Sequence, residues 1–143
     1  MATVQKTIEL PNPPEQVWQQ LANPEATAAW NALHVGYAGE VPAMLSADDK
    51  FTQKVRILGM PGEVAWTVAE AEENSSLKLD GVGPMGTFLK QSFTLEAADG
   101  GTRLIIDNEF GGAALGPMEA AITQESDRVL TESLEKLKAA LAG

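Results

Sequence analysis

Apolar and polar residues alternate over residues 3–10, with Val4, Ile8 and Leu10 on one face, which predicts a strand. Asn12 then stands where a helix cap belongs, and Pro13-Pro14-Glu15 suits a first turn, because a proline there loses no hydrogen bond. Val17, Trp18 and Leu21 give that helix an apolar stripe; Asn23-Pro24 ends it, and residues 24–30 predict a second short helix. Residues 34–41 predict a strand with Val35, Tyr37 and Val41 on one face, weakened by Gly36 and Gly39, which favour a bend or bulge. A loop is expected over residues 42–49.

Residues 51–58 and 64–71 predict a hairpin around Pro61-Gly62, a pair suited to a tight turn. That turn pairs Ile57 with Trp66 and Val55 with Val68. All four then share one face, and Arg56 and Thr67 share the other. Residues 77–82 predict a strand that runs into the glycine-rich segment 81–86. Residues 87–97 and 102–110 predict a last hairpin around Asp99-Gly100. Its register pairs Leu95 with Leu104, Phe93 with Ile106, Gln91 with Asn108 and Leu89 with Phe110. Six of those eight residues are apolar, so this is the inner face, and Gln91 and Asn108 form an inward polar pair.

From Pro117 to about Ala142 the spacing of Ile122, Ser126, Leu130, Leu134, Leu137 and Leu141 predicts one long helix, its stripe widened by Met118 and Val129. Smaller residues (Ala120, Ala121, Ser126) in its first half predict a roomier space near Met118 and Ile122 and a tight seam near the C-terminus. A long helix after a run of antiparallel strands predicts a curved sheet wrapped around it, with a pocket between them. The fold class is α+β: a curved seven-stranded antiparallel sheet, a long C-terminal helix and two short helices after the first strand. Residues 1–143 are expected to form a single domain.

Composition narrows the chemistry. The chain has no cysteine, which excludes disulfides, thiolate metal sites and cysteine nucleophiles, and its single histidine, His34, excludes a multi-histidine metal site within one chain. No metal, cofactor or catalytic residue is therefore expected. A net charge of −10 opposes binding to phosphate backbones and docking on anionic membranes. With no apolar run of membrane-spanning length and no basic-then-apolar leader at the N-terminus, a cytoplasmic protein is expected.

The candidate ligand-binding residues are Tyr37, Trp66, Gln91, Phe93, Asn108, Phe110, Met118, Ile122 and Ser126. Trp66 and Phe110 sit on inferred inner faces; Trp18 is expected to pack a helix onto the sheet. Gln91 and Asn108 either hold a ligand's polar head or satisfy each other. Tyr37 points inward and can donate to a ligand carbonyl. His34, at a strand start on the face opposite Val35 and Tyr37, is expected at the solvent or a loop edge. Asp107, Glu109 and Arg103 are expected on the solvated outer face. The segment 81–86 is no phosphate loop, since it lacks the Gly-Lys-Ser/Thr ending and precedes a strand. Gly111-Gly112 before the last helix reads as a hinge that lets the helix open the pocket, or else as backbone N–H groups turned toward an anion.

The element order resembles the helix-grip fold of the START-domain and birch-pollen-allergen superfamily, SRPBCC, which includes the polyketide cyclase/dehydrase and lipid-transport families. The stretches Pro13-Pro14-Glu15-Gln16-Val17-Trp18, Gly59-Met60-Pro61 with Trp66-Thr67, Leu79-Asp80-Gly81-Val82-Gly83 and Gly111-Gly112-Ala113-Ala114-Leu115-Gly116-Pro117 are similar to an actinobacterial branch labelled as toxins of type II toxin–antitoxin pairs. These motifs are mostly structural glycines and prolines. The resemblance implies a cavity and binding of a small hydrophobic molecule: a lipid, polyketide-like or other aromatic metabolite. Its alternatives are a cyclase- or dehydratase-like enzyme, and a toxin with an antitoxin protein as partner. The fold alone chooses none of them.

Overall fold

A computed structural model describes residues 2–32, 34–57, 60–83, 86–112 and 116–142. Seven antiparallel strands form one sheet: β1 (Ala2–Leu10), β2 (His34–Ala38), β3 (Lys50–Ile57), β4 (Met60–Glu72), β5 (Ser76–Val82), β6 (Phe88–Ala98) and β7 (Gly101–Gly111). Their spatial order is β1-β7-β6-β5-β4-β3-β2, so β2 to β7 form a meander and the first strand closes beside the last. Between β1 and β2 lie α1 (Pro14–Ala22), a 3₁₀ turn (Pro24–Ala26) and α2 (Thr27–Trp30). A second 3₁₀ turn (Gly116–Met118) leads into α3 (Glu119–Ala142), and the curved sheet wraps around this helix. Among the described residues, no helix is long and apolar enough to cross a membrane.

The β6–β7 hairpin has the expected register, with Leu95, Phe93, Gln91 and Leu89 opposite Leu104, Ile106, Asn108 and Phe110. Its tip is fixed chemically: Asp99 (φ 45°) and Gly100 (φ 82°) both take the left-handed conformation that a tight hairpin turn needs. The inner face forms the core with Leu77, Phe93, Leu104 and Ile106, all nearly or wholly buried. The opposite face is solvated, with Asp107 accepting from Gln5 at 2.7 Å and Arg103 donating to Glu9 at 2.7 Å.

The two halves of α3 differ. Its buried residues are Val129, Leu130, Ser133, Leu134 and Leu137, all past the helix midpoint or close to it. Further contacts anchor that half: Ser133 Oγ accepts from the Ala32 amide at 2.9 Å, and Asn12 Nδ2 donates to the Leu141 carbonyl at 3.0 Å. Lys6 of β1 pairs with Asp127 at 2.6 Å. Toward the N-terminus Ile122 and Ser126 are only partly buried and Met118 is exposed, which matches the expected roomier end.

Three local expectations are corrected. Pro13, not Asn12, stands at the N-cap of α1, and no side chain caps it. Asn12 instead reaches Gln16 Oε1 at 2.8 Å and the end of α3, because the amide can serve both once the chain passes between them.

The β3–β4 hairpin pairs Phe51 with Trp66, Val55 with Gly62 and Ile57 with Met60, rather than Ile57 with Trp66 and Val55 with Val68. Pro61 and Gly62 are inside the ladder. The proline is tolerated because β5 joins β4 only from Ala65 onward, so this end of β4 has a free side. The slip is an even number of residues, so Val55, Trp66 and Val68 still share the buried face. The stretch between the two strands, including Gly59, lies outside the described residues.

In β2 a bulge between His34 and Gly36 overturns the expected facing of His34 and Val35, while Tyr37 faces inward as expected. His34 pairs with Val55 and Tyr37 with Gln53, so both rings face inward, while Val35 is 60% exposed. The extra residue is accommodated at glycine, as bulges often are. The strand stops at Ala38, before Gly39 at φ +77°, and Val41 packs against the core from the loop beyond it.

Candidate functional site

A cavity of about 130 Å³ lies between the N-terminal half of α3 and the inner face of the sheet. Strands β3 and β4 supply Gln53, Val55, Val64 and Trp66; β6 and β7 supply Leu89, Gln91, Asn108 and Phe110. Helix α3 closes it with Ile122, Glu125 and Ser126. Of the residues expected at a binding site, the fold gathers Trp66, Gln91, Asn108, Phe110, Ile122 and Ser126 around this space. Tyr37, Phe93 and Met118 stand elsewhere: Phe93 packs edge-on against Trp30 in the core (6.1 Å, 87°), and Met118 is 40% exposed.

One rung of the sheet explains the shape of the wall. Trp66, Gly81, Leu89 and Phe110 follow one another across four strands. A β-carbon on Gly81 would lie 2.7 Å from the Trp66 ring and 2.8 Å from Val64. Glycine at that rung therefore makes room for the indole to lie against the sheet, and the aromatic covers the gap glycine leaves. Gly81 thus shapes an apolar wall.

The polar groups fall into two sets. In the first, Trp66 Nε1 donates to Gln53 Oε1 at 2.9 Å, and Gln53 Nε2 lies 2.9 Å from His34 Nδ1. An indole N–H can only donate, which fixes the Gln53 oxygen toward Trp66 and its NH₂ toward the histidine. His34 Nδ1 must accept, so the ring is neutral and carries its proton on Nε2. Burial holds the imidazole below its ordinary value of 6.5, and the proton-filled side of Gln53 opposes a second ring proton. The His34 ring meets Tyr37 at 4.7 Å, and the Tyr37 hydroxyl donates to Thr27 Oγ1 (2.9 Å) or to the Pro24 carbonyl (3.2 Å). Burial raises the phenol above its ordinary value, against a smaller opposing effect of the Thr27 bond, so it stays a neutral donor. These contacts tie the Trp66, Gln53, His34 and Tyr37 side chains to one another and to Thr27 and Pro24.

In the second set, Gln91 and Asn108 are cross-strand partners, yet Asn108 Oδ1 is buried and accepts no hydrogen bond among the described residues. Near it, Glu125 is only 16% exposed at its side chain and pairs with Arg128 at 2.6 Å. Among the described residues, no three histidine, cysteine or acidic side chains come together as a metal-holding group.

Gln53 and Glu125 were not expected at the site. Gln53 shares the strand parity of Phe51 and Val55, so the alternation does place it inward; Glu125 lies three residues after Ile122 and four before Val129, so helical spacing places it beside the stripe although its charge argues against it.

Residues 1–142 match the family model described as polyketide cyclase / dehydrase and lipid transport. Two Mycobacterium tuberculosis proteins are similar along their whole length. Rv1546 is 26% identical over 137 residues, covering 95% of this chain and 96% of its own. The protein named Toxin Rv0910 is 25% identical over 144 residues, covering all of both chains. Among solved structures, that of Ara h 8.0201 superimposes with a TM-score of 0.76 at 14% identity, covering 99% of this chain and 97% of its own. That likeness establishes the helix-grip architecture.

Proposed function

The chain belongs to the polyketide cyclase / dehydrase and lipid transport family, and from that premise we propose that it binds a small, largely apolar molecule in the cavity beneath α3. The observation that carries this reading is the cavity itself, with an apolar wall of Trp66, Leu89, Phe110 and Ile122 and the amides of Gln91 and Asn108 in its lining. Burial of apolar surface, at about 25 cal/mol per Å², drives association against the ordering cost. Asn108, Gln91 and Ser126 orient the occupant. Tyr37, Phe93 and Met118 act around the site, through packing or at its entrance. No catalytic residue, cofactor or metal is assigned, and the cytoplasm is the setting that fits a chain of this composition.

Native mass spectrometry of protein purified gently from its own host tests the reading. A discrete added mass that is lost on denaturation supports it. Protein without added mass that also takes up no small apolar probe overturns it.

A toxin role is the second reading, favoured by the full-length similarity to the protein named Toxin Rv0910. It predicts growth arrest on induction that the neighbouring gene relieves. Unchanged growth in both cases removes it.

A further inference from the structure

Resting on the reading that the cavity beneath α3 holds a ligand, we infer that His34 is a positioning residue for that cavity. Its neutral ring fixes Gln53, Gln53 fixes the Trp66 indole in the wall, and protonation of the ring loosens the wall and weakens ligand binding. Gln53 and Trp66 belong to the lining, whereas His34 stands behind them. The affinity of the site thus follows the charge of a group outside it.

The chain of bonds has one workable arrangement. The Trp66 N–H donates to Gln53 Oε1 at 2.9 Å, and Gln53 Nε2 lies 2.9 Å from His34 Nδ1. Gln53 and Trp66 are each 7% exposed, so a partner lost here is costly. Protonation puts a hydrogen on Nδ1, which then meets the Gln53 NH₂ donor to donor. Turning the amide gives the ring an acceptor but sets the NH₂ against the indole N–H, which can only donate. One of the two bonds is lost either way. The indole is seated against Gly81, on the rung that continues through Leu89 and Phe110, so its release changes the wall. The His34 ring is only partly buried, which gives it access to solvent protons.

The other titratable groups nearby are placed differently. Tyr37, 4.7 Å from the ring, is a neutral donor engaged with Thr27. On β3, Lys50, Lys54 and Arg56 are exposed and have the strand parity opposite to Gln53. Helix α2 (Thr-Ala-Ala-Trp) has no titratable side chain, and Glu25 before it is exposed. In the cavity lining Lys90 and Glu109 are cross-strand partners, and Glu125 pairs with Arg128 at 2.6 Å. Burial holds the imidazole below 6.5, so the bond chain is intact at neutral pH and is lost as pH falls through that lower value. By linkage, a bound ligand lowers the value further.

Two measurements on the full chain test this. In ¹⁵N–¹H spectra the Trp66 indole resonance is expected to move as pH falls from about 7.5 to 5, and to stay in place in His34→Gln, whose side chain accepts without titrating. Isothermal titration uses toluene, which has no titratable group. Its affinity is expected to fall about threefold to tenfold over the same interval in the wild type, and less than about twofold in His34→Gln. If that variant does not fold, His34→Asn serves for both measurements. An indole resonance that does not move, or moves equally in the variant, overturns the inference. So does a toluene affinity that is flat in the wild type, or one that falls equally in the variant, which would assign the pH dependence to Glu109 and Glu125. In each of these cases the binding site stands. Toluene binding at neither pH overturns the inference together with the reading it rests on.

Discussion

Asn108 Oδ1 is withdrawn from water, and among the described residues no donor offsets the loss. Replacing the side chain by leucine, close to it in size, removes that cost. Asn108→Leu is therefore expected to stabilise the protein by about 1 kcal/mol or more in urea denaturation. A destabilised variant would show that Asn108 has a structural partner. His34 gives a prediction in pH. Its folded pKa lies below 6.5, so the unfolded chain takes up the proton first. The stability contributed by the neutral ring is complete above about pH 7 and is lost as pH falls through 6.5 toward the folded value. The melting temperature of the wild type should fall further than that of His34→Gln between about pH 7.5 and pH 5. Parallel curves would exclude the His34–Gln53 bond as the origin.

At the scale of elements, α3 is a helix with one fixed half and one half over a cavity. Leu137 is fully buried, and Leu137→Ala is expected to cost about 2–5 kcal/mol by chemical denaturation. Ile122 is only partly buried, and Ile122→Ala is expected to cost less than about 1.5 kcal/mol while enlarging the site. Equal costs would mean the helix packs uniformly. On the sheet, Gly81→Ala forces the Trp66 ring outward and should shift tryptophan emission together with a loss of stability. Unchanged emission would place the indole elsewhere. The hairpins show what patterning can resolve. Asp99-Gly100 encodes its own turn, so the register of β6 and β7 could be read directly. Pro61-Gly62 imitates a turn but lies within a ladder, and the alternation of β3 and β4 gives the buried face without giving the register.

For the whole molecule, 20 acidic against 10 basic residues leave a net charge of −10 on a small domain. The ion pairs Lys6–Asp127 and Arg103–Glu9 are at least partly solvent-exposed, and such pairs contribute little. Self-repulsion is the larger electrostatic effect, so raising salt from about 20 to 200 mM should raise the melting temperature. A fall would mean that the surface pairs matter more than the net charge.

The sequence by itself determined the element order, the seven-stranded α+β architecture, the inner face of most strands and the inward pair Gln91–Asn108. These follow from alternation, helical spacing and turn residues, which are local properties of the chain. The tertiary structure alone decided the rest. The bulge between His34 and Gly36 lets His34 and Tyr37 both face inward, because the extra residue breaks the alternation between them. Packing against Thr27 and Pro24 engaged the Tyr37 hydroxyl, and the curvature of the sheet set how much space remains under α3. Whether facing amides satisfy each other depends on angles and distances between strands, which no pattern along the chain carries; at Asn108 that geometry leaves Oδ1 buried with no partner among the described residues.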